Sequence, residues 1–265
     1  MPTAFPGSPF RDDLFAGQVV LVTGGATGMG KSIAHAFAAH GATVHICSRN
    51  PEHLTEAAAE IEKQTGRKVH WHQCDVREVD QVEAMFAKLD RLDHLVNSAA
   101  GNFLAPFDSM SKNAWSTVIN IVLHGTFNTT KAAFPLLSRN GGSVTNMVAA
   151  YAWGAAPLVS HSGAAKAGVL NLTRSLAIEW ASFGIRSNAV APGPVMSAGA
   201  AKNLFADEDL KEKIIQSVPL KRFGTPEEMA LGVLYLASPA ASYITGDCLV
   251  LDGGQWLANG LFGSG

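Results

Sequence analysis

Cysteine is scarce in this chain. Cys47, Cys74 and Cys248 are the only three in 265 residues, far apart and each in an apolar run. An odd, scattered set excludes a disulfide framework and predicts buried, reduced thiols. An excess of either charge is lacking too. Twenty Lys and Arg stand against 22 Asp and Glu, a formal net charge of -2, which leaves no electrostatic footprint for nucleic acid or for an anionic membrane surface. No apolar run reaches the roughly 18 residues that a spanning helix needs. The opening MPTAFPGSPFRDDLFAG has neither the cationic start nor the apolar core of a secretory signal, and the ending LFGSG is not a peroxisomal address. The expectation is a cytoplasmic protein. Linkers rich in Pro or Ser and internal repeats are also absent, so the 47% of hydrophobic side chains suits one sizeable domain over residues 1–265.

What the chain does contain is an alternation. Short apolar runs at 18–24, 43–48, 68–75, 92–99, 142–148, 184–192 and 247–254 read as strands, several continuously hydrophobic, as in a parallel sheet covered on both faces. Helical segments lie between them. The clearest is TPEEMALGVLYLAS, where Thr225 is the expected N-cap, Pro226 takes the first turn and Glu228 completes a capping box. Such alternation predicts an α/β fold, a single-domain doubly wound parallel sheet, Rossmann-like, with about seven strands and helices on both faces.

The first strand-to-helix turn, VTGGATGMGKSIA, places Gly24, Gly28 and Gly30 where backbone amides and a helix N-terminus can approach a pyrophosphate. At the end of the second strand, where an acidic residue would bind the 2′-hydroxyl of NAD, the chain reads CSRN. Ser48 and Arg49 are suited to a 2′-phosphate instead, which favours NADP(H). The plainer reading of Arg49 is a solvated surface residue. His70, His72 and Cys74 alternate along one strand and share a face, but no fourth ligand is apparent and no metal is expected.

The TGxxxGxG spacing resembles the short-chain dehydrogenase/reductase family, and ordered motifs extend that likeness over roughly residues 15–255. The resemblance implies cofactor contacts at Thr23, Gly24, Thr27, Gly28, Met29 and Gly30 in the first turn, and at Ser48 and Arg49. It adds Asp75 and Val76 beside the adenine, Asn97 and Ala99 after the fourth strand, Lys166, and Pro192, Gly193 and Val195 along the nicotinamide.

In ordinary members a Tyr four residues before the Lys donates a proton to a carbonyl that a Ser thirteen residues upstream polarises. This chain has Ser162 and Ala149 at those positions. Of its three tyrosines, Tyr151 lies after the fifth strand on the carboxyl edge of the sheet, where open α/β sheets place ligands. The segments AAGNF, SKNAW, YAWGAAPLVSHSGAAKAG and AVAPGPV are similar to the 2,4-dienoyl-CoA reductase branch, in which the catalytic Tyr precedes the substituting Ser by eleven residues, as 151 precedes 162. That likeness implies Tyr151 and Asn102 as donors to a dienolate oxygen, Ser162 as an orienting partner and Lys166 as the grip on the nicotinamide ribose. It further implies an acyl-CoA substrate, NADPH-dependent reduction to a 3-enoyl-CoA in fatty acid β-oxidation, a substrate-lid insert at 196–220 and a homotetramer. Asn120, where ordinary members carry a water-organising Asn, could equally satisfy a helix bend. Reduction of another acyl thioester, 2-enoyl or 3-oxoacyl, and a non-catalytic dinucleotide-binding scaffold stay open as alternatives.

Overall fold

Residues 8–196 and 207–258 are described in the computed structural model of the chain. Seven strands form one sheet: β1 (Val19–Thr23), β2 (Thr43–Ser48), β3 (Val69–Gln73), β4 (His94–Asn97), β5 (Gly142–Met147), β6 (Ile185–Pro192) and β7 (Cys248–Leu251). The spatial order is β3-β2-β1-β4-β5-β6-β7 and every pairing is parallel. Each lies inside a run expected from hydrophobicity; β2 fills its run, and the others are shortened where paired backbone gives way to loop. Central strands are apolar on both faces because helices cover both. The flanking helices are α1 (Gly28–Ala39), α2 (Pro51–Thr65), α3 (Val79–Phe86), α4 (Lys112–Ile119), α5 (Gly125–Asn140), α6 (Ser160–Glu179), α7 (Glu208–Ser217) and α8 (Pro226–Ala237).

Local rules explain the helix boundaries. Asn50 accepts hydrogen bonds from the Glu52 and His53 amides to start α2, and Gly66 ends it at φ 69, a conformation that favours glycine. Thr225 and Glu228 close the expected capping box at the start of α8. Between α4 and α5 a wide turn, Asn120–His124, inserts a π-helical step that begins at Asn120. Cys47 and Cys74 are buried free thiols; Cys248 is only half-buried, because β7 is the outermost strand.

Strand order positions the site. The chain steps outward from β1 to β2 and β3, then crosses back to β4, so the connections leaving β1 and β4 diverge and open a crevice at their carboxyl ends. Among the described residues no helix is long and apolar enough to cross a membrane.

One buried polar group makes the core sensitive to acid. His94, at the foot of β4, bonds to Gln18 Oε1 at 2.5 Å and to Ser143 Oγ at 2.8 Å, with its ring against Phe15 and Phe37. Burial pulls its pKa from 6.5 down to about 4. The unfolded chain therefore takes a proton near pH 6.5 that the folded chain refuses until about pH 4. The neutral ring's contribution is whole above pH 6.5 and is lost as pH falls toward 4, at most about 3 kcal/mol. Urea denaturation at pH 7 and pH 5 should show this loss, and His94→Gln should flatten the difference. An unchanged difference in the variant would assign the acid sensitivity to other groups.

Candidate active site

The crevice at the β1/β4 switch is a cavity of about 840 Å³, within the range of small-molecule sites. Its floor is set by glycine. Gly24 sits at φ 66 and a Cβ there would lie 2.9 Å from Ala99 Cα, while a Cβ on Gly30 would overlap the Gly24 carbonyl. The turn after β1 can thus press against the loop after β4 only without side chains. Thr27 precedes α1 in extended backbone and makes no side-chain cap, and the first turn of α1 carries no acidic residue. The unsatisfied amides of that helix start are therefore free for an anion. Fit to a dinucleotide pyrophosphate is good on this observation.

Farther along the crevice, Ser48, Arg49, Asp75 and Val76 line the wall, and Met29, Ala99 and Thr27 line the floor. The Asp75 carboxylate is gripped by the Arg77 guanidinium, which holds its pKa below the usual carboxylate range. Two expected contacts have other work. Thr23 Oγ1 accepts from the Ser98 and Ala99 amides and so ties β1 to the loop after β4. Asn97 turns inward: its amide nitrogen donates to Thr130 and Asn146, and its oxygen accepts from Thr129. With every polar atom bonded inside the protein, the Asn97 side chain is a buried brace and does not reach the crevice.

The catalytic candidates converge from two elements. Tyr151 is in a short turn, Ala150–Ala152, at the carboxyl end of β5. Ser162 and Lys166 are one turn apart on the buried face of α6. The Tyr151 hydroxyl and Ser162 Oγ share a hydrogen bond of 3.2 Å. Lys166 Nζ donates to the Met147 carbonyl at 2.5 Å, and burial pushes its pKa down from 10.5 to about 8. Alignment of α6 is enforced from below, where Asn146 Nδ2 donates to Thr173 Oγ1 at 2.9 Å. Neither Asn146 nor the Met147 carbonyl was found from sequence. A backbone acceptor leaves no signal in residue identity, and a strand asparagine reads as ordinary.

Asn102 stands apart. Its Oδ1 accepts from the Phe103 amide at 3.0 Å and its side chain is exposed. The structure does not bring Asn102 into hydrogen-bond contact with Tyr151. Gly193 donates to the Leu251 carbonyl, a Cβ on it would lie 2.6 Å from Asp252, and Val195 pairs with Gly224. The segment from Pro192 to Val195 is thereby fastened to β7, to the loop beyond it and to the loop before α8, outside the first crevice. Of the expected 196–220 insert, 197–206 lie outside the described residues, and the rest holds the single helix α7. His70 and His72 pack against the His45 ring, which shares a 2.9 Å hydrogen bond with His72. Among the described residues no group of three or more His, Cys, Asp or Glu is arranged to hold a metal.

A glycine-floored crevice at the switch point, outside the carboxyl ends of β1 and β4, is where open α/β sheets hold a dinucleotide. Comparison makes the class specific. Residues 24–255 match the family model described as Enoyl-(Acyl carrier protein) reductase. A Bacillus subtilis protein named Probable 2,4-dienoyl-CoA reductase, (2E)-enoyl-CoA-producing, is 47% identical over 247 residues, 91% of this chain and 97% of its own. A Caenorhabditis elegans protein named Probable 2,4-dienoyl-CoA reductase 3, (3E)-enoyl-CoA-producing, is 44% identical over 254 residues, 92% of this chain and 82% of its own. Among solved structures, a short chain dehydrogenase from Bacillus anthracis superposes with a TM-score of 0.82 at 46% identity, covering 90% of this chain and 96% of its own. The chain belongs to the short-chain dehydrogenase/reductase family.

Burial of Lys166 has a measurable signature. Between pH 8 and 10.5 the unfolded chain holds the proton on this lysine and the folded chain does not, so folding stability should rise with pH across that window. The full effect is at most about 3 kcal/mol. Urea denaturation at pH 7.5 and 9.5 should show the rise in the parent protein and a smaller one in Lys166→Met. Equal slopes in the two proteins would mean that Lys166 is solvated.

Proposed function

We propose that the protein reduces a 2,4-dienoyl-CoA to a 3-enoyl-CoA with NADPH, and that Tyr151 and Asn102 hold the dienolate oxygen. The observation that carries this reading is the 3.2 Å contact between the Tyr151 hydroxyl and Ser162. It sets a phenol beside the position where ordinary family members have theirs, but supplied from the turn after β5. Relatives named for this reaction lend support. So do the exposed apolar side chains of Phe103, Leu104, Trp153, Leu158 and Trp256 on segments next to the site, which suit an acyl chain better than a polar substrate.

The α1 N-terminus and the Gly24 to Gly30 turn hold the pyrophosphate. Ser48 and Arg49 take the 2′-phosphate, since both line the crevice and the residue directly after β2 is Arg49 rather than a carboxylate. Lys166 holds the nicotinamide ribose hydroxyls. NADPH, when bound, supplies the hydride, which goes to the δ carbon of the dienoyl group. Negative charge then collects on the thioester oxygen, and the protein's task is to hold that charge with fixed donors. Tyr151 is anchored for this by Ser162. Asn102 reaches the oxygen by releasing the Phe103 amide, a rotation its exposure allows. Water delivers the proton to the α carbon, where dienolates are ordinarily protonated. Four copies form a homotetramer.

A 2-enoyl product is the second reading, because relatives of this chain are named for each product. It differs only in protonation at the γ carbon. Loss of NADPH absorbance with a dienoyl-CoA, but not with an enoyl-CoA or a 3-oxoacyl-CoA, supports the reaction class. Consumption with either of the others moves the assignment to that substrate, and no consumption leaves a binding scaffold. NMR of the product then separates 3-enoyl from 2-enoyl.

Tyr151→Phe should lower turnover about a hundredfold or more, since losing one oxyanion donor costs roughly 2.7–4 kcal/mol of barrier. NADPH affinity should be retained, and unimpaired turnover would remove Tyr151 from the mechanism. Arg49→Ala should weaken NADPH about tenfold or more, in keeping with a lost charge-assisted bond, and leave NADH nearly unaffected. Equal losses for the two coenzymes would place Arg49 away from the 2′-phosphate.

A further inference from the structure

The loop that carries Asn102 is stitched to the start of α6 in two places. Ala105 donates its amide to the Leu158 carbonyl at 2.9 Å, and Leu158 is held at φ 64. A leucine seldom occupies this left-handed region, so the surrounding contacts over-determine it, as happens near functional sites. The second stitch is a ring contact. His161 meets Phe103, the neighbour of Asn102, edge to face with centroids 4.8 Å apart and planes at 83°.

His161 is fully buried, and the chemistry of the site described so far makes no use of it. Its Nδ1 accepts from the Ser162 amide at 2.9 Å, one of the amides at a helix start that no intrahelical carbonyl can satisfy. Accepting at Nδ1 places the proton of a neutral ring on Nε2. That nitrogen is buried with no partner among the described residues. An apolar ring would avoid an unmet donor but could not accept from Ser162, and a short polar side chain could accept but could not reach Phe103. Histidine meets both demands at once, and one side chain thereby touches the backbone of Ser162, partner of Tyr151, and the residue after Asn102.

We propose that His161 is a positioning residue that sets the spacing between the two oxyanion donors, with Phe103 as the link through which it acts on Asn102. This rests on Tyr151 and Asn102 sharing the acyl oxygen. It says more, namely that the Asn102 loop is held against α6 before substrate arrives.

A double-mutant cycle tests it, with dienoyl-CoA turnover as the main readout and the KM for NADPH as a control. His161→Asn should lower kcat about tenfold with the KM for NADPH unchanged, and the same change made on top of Asn102→Ala should cost less than about twofold. Phe103→Leu changes an exposed side chain, so the fold should survive it, and it should show the same coupling even where His161→Asn fails to fold. Penalties that multiply in the double variants, or a KM for NADPH that rises as kcat falls, would reduce His161 to a packing residue. If Asn102→Ala leaves turnover unchanged, the donor role of Asn102 falls and the positioning role goes with it. A slow Asn102→Ala with multiplied penalties removes the positioning role alone.

Discussion

The Lys166 ammonium sits inside the protein against the Met147 carbonyl at 2.5 Å, and burial is the sole cause lowering its pKa, so a dipole rather than a carboxylate opposes its desolvation. Such a charge is tolerated only where its surroundings are held still. The accepting carbonyl belongs to the last residue of β5, whose place is fixed by parallel pairing with β4 on one side and β6 on the other. The helix that carries the lysine is tied to the same strand through Asn146 and Thr173, and that asparagine is in turn bonded to Asn97 of β4. A chain of buried amides and hydroxyls thus runs from α5 through β4 and β5 to α6. Each member is satisfied by the next, which is the condition under which a polar network rigidifies a core.

The fold was almost wholly legible in the sequence because its determinants are local. Parallel strands covered on both faces must be apolar throughout, so Val19–Thr23 and its counterparts announce themselves. Gly24 and Gly30 are required by close backbone approach, which no other side chain permits. Thr225 and Glu228 satisfy helix-start donors by their own chemistry. The site was legible in part. The interval between Tyr151 and Ser162 could be read, and the structure joins the two residues.

Other features depend on three-dimensional neighbours that residue type does not name. Asn97 ends a strand at the switch point, as a ligand-facing residue would, yet three partners on two other elements turn it inward. Leu158 has no glycine or asparagine to mark its positive φ. His161 lies between two serines in a helix start, and only the fold reveals that it touches the Asn102 loop. Where an element is specified by its own side chains the sequence suffices. Where geometry is imposed by partners distant along the chain, it does not.

The exchange of residues around Lys166 follows from what the proposed reaction asks. A carbonyl reduction must deliver a proton to oxygen, and a phenol one turn from an ammonium suits that transfer. A conjugated thioester takes its hydride far from the oxygen, and the final proton goes to carbon. A proton passed to the oxygen would form an enol that must be undone. Ser162 in the helix position nearest Lys166 has an alkoxide too basic to act as the acid, so it can anchor without transferring. In the proposed reaction the phenol of Tyr151, hydrogen-bonded to Ser162, is a donor that keeps its proton. In the proposed reaction the same lysine, in place on α6, serves the coenzyme. Under the proposed reaction, Ser162 and Ala149 in place of the ordinary Tyr and Ser, with Tyr151 and Asn102 as the donors, turn a site for proton delivery into one for charge retention.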